Sequence, residues 1–197
     1  MQSIHLTGDA LWSRMERAVE KVQERLRRAV AVLEATGVPY AVVGGHAVRV
    51  WVSQVDEAAV RNTKDVDILI RREDMDKIRP AMEEAGFVFR QSAGLTMFLD
   101  GPEGNPREAI HLVFAGEQVR EGEPQSNPTL GDSAPVDDFK TIGLETLVKM
   151  KLNSFRLKDR VHLIDMLDVG LIDKGWVTRL PDALGARLQR LIDDPDA

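Results

Sequence analysis

Val42-Val43-Gly44-Gly45-His46-Ala47 and, a short way on, Arg61-Asn62-Thr63-Lys64-Asp65-Val66-Asp67-Ile68-Leu69-Ile70 carry most of what this sequence says about its fold. Pro39 to Val43 reads as a short strand closed by two glycines, and His46 to Ser53 as a helix that the glycines open. Asp65 to Ile70 reads as a second strand. A side-chain period of two puts Asp65 and Asp67 on one face, with α-carbons roughly 6.5–7 Å apart, and turns Val66 and Ile68 into a core. With 18 Asp in 197 residues such pairs also arise by chance, and three occur, at 65/67, 74/76 and 194/196. Asp74 and Asp76 fall at a helix start, where a two-residue step sends side chains to different faces. Asp194 and Asp196 lie in a polar tail. Only Asp65 and Asp67 belong to a strand. Two carboxylates side by side repel, and without compensation one is driven toward its neutral form. A divalent cation between them removes the conflict, and hard oxygen donors suit Mg²⁺ or Mn²⁺. The competing reading has both acids capping loops or pairing with Arg61 and Lys64. Gly44-Gly45 lets the backbone approach a ligand and aims free N–H groups at an anion near the positive end of a helix. Such a pair also serves as a plain tight turn. It matches neither the GxxxxGK[ST] nor the GxGxxG phosphate loop.

Outward from this stretch, Leu11, Met15, Ala18, Val22, Leu26, Ala29 and Leu33 recur at steps of three and four. That spacing predicts one amphipathic helix over 9–36, with Asp9 as N-cap and Gly37 as the left-handed residue after its end. Its other face mixes Arg14, Arg17, Lys21, Arg27 and Arg28 with Glu16, Glu20 and Glu24, the pattern of a solvated surface. Downstream the patterning predicts a helix over 73–85 and strands over 87–90, 95–99 and 109–114. Residues 116–135, rich in Gly, Pro and acid, read as a mobile surface loop. Helices return at about 143–156, 159–170 and 181–193. Strands alternating with helices, then a helical tail, indicate a single α/β (α+β) domain over 1–197: helix 9–36, core 37–142 and helical region 143–197. The formal charge of −6 argues against a general nucleic-acid coat. The absence of Cys excludes disulfides, Cys-ligated metal and thiol nucleophiles. No apolar run approaches the roughly 18 residues of a membrane span, and MQSIHLTGDALW lacks a basic segment followed by an apolar core. The expected setting is cytoplasmic.

Taken together, the glycine pair after the first strand and the Asp-x-Asp strand beyond it resemble the nucleotidyltransferase superfamily related to DNA polymerase beta. The nearest pattern is that of the bacterial minimal and abortive-infection toxin-type members, which read GGxA…RxTxDxD. The likeness runs from residue 38 to about 115. It implies a mixed, strongly twisted sheet with helices on one side, and the N- and C-terminal helices packed around it. It implies that Gly44 and Gly45 hold a nucleoside triphosphate, that Asp65 and Asp67 are catalytic and bind two metal ions, and that Arg61 and Lys64 meet phosphates. The implied reaction moves a nucleoside monophosphate to an acceptor hydroxyl on a protein, a tRNA or a small molecule, with an antitoxin as a further partner. The alternative is an inactive relative that binds a nucleotide or a protein.

One position departs from the superfamily pattern. Its third carboxylate lies on a later strand, matched here by Ala109-Ile110-His111-Leu112-Val113-Phe114, and the position carries His111. A neutral imidazole serves as a general base near pH 7, but without negative charge it holds a second Mg²⁺ poorly. Three explanations stand: His111 takes the base role, another acid substitutes, or catalysis is lost. In helix 143–156, Leu144, Leu147, Val148, Leu152 and Phe155 form an apolar stripe with Lys151 in its middle. A lysine there needs a carboxylate or a phosphate, so Lys151 is expected to reach a phosphate or Asp67. Trp12, Trp51 and Trp176 read as core residues, His46 as packing at a helix start, His162 as one residue of a charged helix that suggests no site, and Arg156, Lys158, Asp159 and Arg160 as a solvated helix junction.

Overall fold

Helix α1 (Asp9–Thr36) has the predicted length, but its apolar stripe divides halfway. Val22, Leu26, Ala29, Val30 and Leu33 are buried, whereas Leu11, Met15 and Trp12 are 42 %, 51 % and 63 % exposed. The first turns therefore extend past the body, and Trp12 does not fill the core. Asp9 is the first helical residue rather than the cap, which is Gly8. Gly37 ends the helix in the left-handed region and donates its N–H to the Glu34 carbonyl. The computed structural model describes residues 8–118, 120, 122–136 and 139–195.

After α1 come β1 (Tyr40–Val43), α2 (Gly44–Ser53), β2 (Val66–Ile70), α3 (Met75–Glu84), β3 (Phe87–Ser92), β4 (Leu95–Asp100) and β5 (Ile110–Phe114). Next are β6 (Ser133–Val136), β7 (Phe139–Ile142), α4 (Leu144–Ser154), α5 (Leu157–Asp168) and α6 (Asp182–Asp193). The strands form one sheet in the order β3-β4-β5-β2-β1-β7-β6. β2 runs parallel to β5 and β1 parallel to β7, and the other pairs are antiparallel.

Alternation along the central strands separates two cores. Tyr40, Val42, Val66, Ile68 and Ile70 pack with α1 and α3 on one face. Ala41, Val43 and Leu69 pack with α2, α4, α5 and α6 on the other. Helices therefore cover both faces rather than one. The reason lies in β1: Tyr-Ala-Val-Val is buried at every position, as a strand in mid-sheet must be when both of its faces need covering.

Residues 116–135 are not simply a loop, because β6 begins inside them and β7 continues the sheet beside β1. Gln125 and Asn127 are held by side-chain hydrogen bonds. Asn127 donates its side-chain amide to the Phe114 carbonyl at 3.0 Å. Asn153 of α4 accepts the Gln125 N–H at 2.9 Å and donates to the Gln125 carbonyl at 2.7 Å. Gly and Pro content predicts turns, but it does not report the side chains that anchor them.

The corner between α4 and α5 is built from two residues. Phe155 takes a left-handed conformation with φ +48°. Arg187 of α6 closes the end of α4 by donating to the Leu152 and Asn153 carbonyls at 2.7 and 2.6 Å. So tight a turn starts α5 within reach of the sheet and carries Lys158 and Asp159 toward β2.

Candidate active site

The glycine turn and the acidic strand meet because β1 and β2 are antiparallel neighbours, with Val43 opposite Asp67. On the other side β2 runs parallel to β5, and Asp67 lies in register with His111. Residues in register on neighbouring strands point the same way, and Val66, Ile68, Ile110 and Leu112 all point into the α1 core. Asp65, Asp67 and His111 consequently share the opposite face, beneath α2, α4 and α5.

Each glycine matches one half of the acidic pair. Gly44 has φ +67°, and a Cβ built there would overlap the Asp67 carboxylate, so that carboxylate rests directly on the backbone at the start of α2. A Cβ at Gly45 would come within 2.9 Å of the Thr63 hydroxyl. Thr63 in turn donates to Asp65 Oδ1 at 2.6 Å. The Lys158 ammonium covers the other side of Asp65, at 3.0 Å from Oδ1 and 3.1 Å from Oδ2.

The two carboxylates are held in opposite electrostatic states. Burial opposes ionisation of Asp65, but the Thr63 hydroxyl and the Lys158 ammonium outweigh it and hold the carboxyl at about 2. Asp67 is pushed above the ordinary carboxylate range, by burial first and by its neighbour Asp65 second. Lys151, Lys158 and His111 oppose that shift only in part. Pairs of acids split in this way are characteristic of functional sites.

The remaining candidates are distributed unevenly. Lys151 is buried as expected, but its ammonium donates to Asp159 at 3.1 Å rather than to Asp67. Asp159 also accepts from Arg156 Nε at 2.9 Å. Burial works against its ionisation, yet Lys151 and then Arg156 hold it at about 2. The charge of Lys151 still reaches Asp67 through space. Arg61 is taken up by Asp165 of α5 at 2.7 Å. The Lys64 side chain is exposed, and its carbonyl accepts from Arg25. His111 places Nε2 3.1 Å from the Pro106 carbonyl. Of the other acids near this end of the sheet, Glu108 pairs with Arg25, and Asp100 with both Arg25 and Arg28. Lys158 and Asp159 are no solvated junction: one covers Asp65 and the other is 1 % exposed.

Among the described residues no three His, Asp or Glu side chains converge so as to hold a metal ion unaided. Asp65 and Asp67 carry hard oxygen donors of the kind Mg²⁺ accepts beside phosphate oxygens and water.

Two histidines flank the acids. His46 and His162 are 3 % and 7 % exposed, and His46 Nε2 and His162 Nδ1 find no hydrogen-bond partner among the described residues. Burial is the main force holding both rings down at about 4. Both are therefore neutral in the folded chain and gain protons only on unfolding. Their contribution to stability is complete above pH 6.5 and is lost as the pH falls through about 4. Each ring should remove up to about 3 kcal/mol across that window. Urea midpoints at pH 7, 5.5 and 4 should show the decline, and replacing both rings with glutamine should flatten it.

The comparisons with known proteins agree with this fold. A solution structure of the antibiotic-resistance factor ANT(2'')-Ia superposes with a TM-score of 0.53 at 12 % identity, covering 90 % of this chain and 94 % of that one. A crystal structure of ANT(2'')-Ia in complex with adenylyl-2''-tobramycin gives 0.51 at 12 % identity, over 87 % and 98 % of the two chains. An H. pylori protein assigned as a nucleotidyltransferase gives 0.52 at 12 % identity, over 90 % and 78 %. At such identity these likenesses speak for the fold. No curated protein matches the sequence significantly, and no helix among the described residues is long and apolar enough to cross a membrane. A family model described as "Uncharacterised nucleotidyltransferase" matches residues 9–119, which span α1, both glycines, both aspartates and His111. The chain belongs to that nucleotidyltransferase family.

Proposed function

We propose that this protein transfers a nucleoside monophosphate from a nucleoside triphosphate to an acceptor hydroxyl, with Mg²⁺ or Mn²⁺ held by Asp65 and Asp67. The observation that carries the reading is the Asp67 carboxylate seated on the Gly44 backbone at the start of α2, with His111 in register beside it. In this reading the N–H groups at the start of α2 donate to triphosphate oxygens. Asp65 and Asp67 offer the oxygens for the cation, which supplies neutralising charge to the phosphates when bound. His111 is the candidate base. With Nε2–H donating to the Pro106 carbonyl, Nδ1 of the neutral ring is the nitrogen that would take the acceptor's hydroxyl proton. The acceptor oxygen then bonds to the α-phosphorus while the bond to the pyrophosphate oxygen breaks. A cavity of about 360 Å³ between α1 and α2 includes His46 in its lining together with Gln23, Arg27, Arg49 and Glu57. None of Gly44, Asp65, Asp67 and His111 lines it, so it is a cavity apart from the acidic pair.

The second reading, a binding module without catalysis, is favoured by a histidine standing at position 111 where the resemblance implies a carboxylate. One experiment separates the two. The protein is incubated with Mg²⁺ or Mn²⁺, each α-³²P-labelled triphosphate and cell lysate as acceptor pool, beside the Asp65→Ala/Asp67→Ala variant. Label transferred by the wild type alone is expected. Nucleotide binding without transfer identifies the module, and neither binding nor transfer removes both readings.

A further inference from the structure

Asp65 already carries a cation. The Lys158 ammonium lies within hydrogen-bond distance of both carboxylate oxygens, at 3.0 and 3.1 Å. Asp67, by contrast, has no ammonium or guanidinium in contact with it among the described residues: Lys151 is bound to Asp159, and Arg156 shares that partner. Among those residues Lys158 is thus the one side chain whose positive charge is spent directly on the acidic pair, and it covers the oxygens that a divalent cation needs. Its setting differs from that of Lys151. The Lys158 side chain is 49 % exposed, whereas that of Lys151 is 7 % exposed and anchored in the helix corner. An exposed ammonium on a flexible four-carbon stem can leave Asp65 without unpacking the fold.

We infer that Lys158 is a built-in competitor for the cation position of the acidic pair, released when a nucleoside triphosphate arrives and offers its phosphates to the ammonium instead. This rests on the nucleotidyl-transfer reading for the identity of the displacing ligand, but not for the competition itself. The consequence is an ordered site. Divalent cations bind poorly to the free protein and well only together with the triphosphate, so that the reactive arrangement forms only when both are present. Lys158 acts here as a positioning residue, because it works through Asp65 and through the phosphates rather than on the reacting bond.

The test is metal binding by the full chain without nucleotide, with Mn²⁺ followed by electron paramagnetic resonance. Removing the ammonium with Lys158→Met should tighten Mn²⁺ binding by about ten- to a hundredfold, the effect of taking a positive charge from the ligand's own position. Lys158→Arg should bind as weakly as the wild type, and adding Asp65→Asn to Lys158→Met should cancel the gain. A merely structural lysine predicts unchanged or weaker binding on removal, and that outcome overturns the inference. An exposed ion pair adds little to stability, so Lys158→Met should fold. Should it not, the wild type still decides. Lysines tagged by ¹³C reductive methylation should show the Lys158 signal, identified by its loss in Lys158→Arg, shifting when Mg²⁺ and a non-hydrolysable triphosphate are added together. A signal that stays put overturns the proposal. Mn²⁺ tightening without label transfer would sink the enzymatic reading and spare the competition, and the reverse result would sink the competition alone.

Discussion

Asp67→Asn should cut nucleotidyl transfer by about a hundred- to a thousandfold in label incorporation, the scale expected when one preorganised electrostatic group is lost, while leaving the protein as stable as the wild type or more so. The two effects have one cause. Asp67 is pushed up by burial and by Asp65, so its ionised form is disfavoured in the folded chain. A group raised in this way removes stability as the pH climbs above its unfolded value, and an asparagine of the same shape removes nothing. The same negative charge is what a cation beside the phosphates requires. Thermal unfolding at pH 7 beside the transfer assay checks both halves. A variant that is inactive and also much less stable would show that Asp67 is a structural group rather than a strained functional one.

Gly44→Ala should be the most damaging single methyl group in the chain. The position has φ +67°, where an L-residue is penalised by roughly 1–2 kcal/mol. Its Cβ would also fall on the Asp67 carboxylate, a side chain pinned between β1 and β5 that has little room to retreat. A combined loss of about 2–4 kcal/mol and of nucleotide binding is expected, measured by urea unfolding and by titration with a triphosphate. Gly45→Ala makes a sharp control. Its Cβ meets the Thr63 hydroxyl and Cβ at 2.9 and 3.0 Å with ordinary backbone geometry, so the neighbour can give way and the loss should be smaller. Pairing Gly44→Ala with Asp67→Gly should recover part of the stability and none of the activity. No recovery of stability would disprove the packing of glycine against carboxylate, and recovered activity would disprove the catalytic role of Asp67.

Much of the fold was readable because it rests on local periodicity. The strand, glycine pair and helix of β1 and α2, the acidic strand β2, and the run from α3 to β5 all announce themselves by spacing, and each lies within a few residues of its expected place. β7 was not readable. Phe-Lys-Thr-Ile is four residues long with no clean alternation, and it is a strand because it lies parallel to β1, which is distant in sequence. Trp12 shows the same limit from the other side. Its spacing says helix, but whether anything covers that part of the helix depends on how far α1 overhangs the sheet.

The acidic pair, the glycine pair and His111 could be named from the sequence alone, since strand alternation and element order decide which residues share a face. What sequence could not assign was the partner of each charge. Lys151 announced itself because an ammonium within an apolar stripe must be paired, yet the choice between Asp67, a phosphate and Asp159 was made by the tight corner at Phe155. Lys158 gave no signal at all, because a half-exposed lysine at a helix start resembles any solvated charge, and its contact with Asp65 joins residues 93 apart in the chain. Periodicity is a property of the local backbone, whereas the pairing of charges is a property of distance through space. The chain could therefore announce its strands, helices and acids, but only the packing of α5 against β2 determined which cation sits on Asp65.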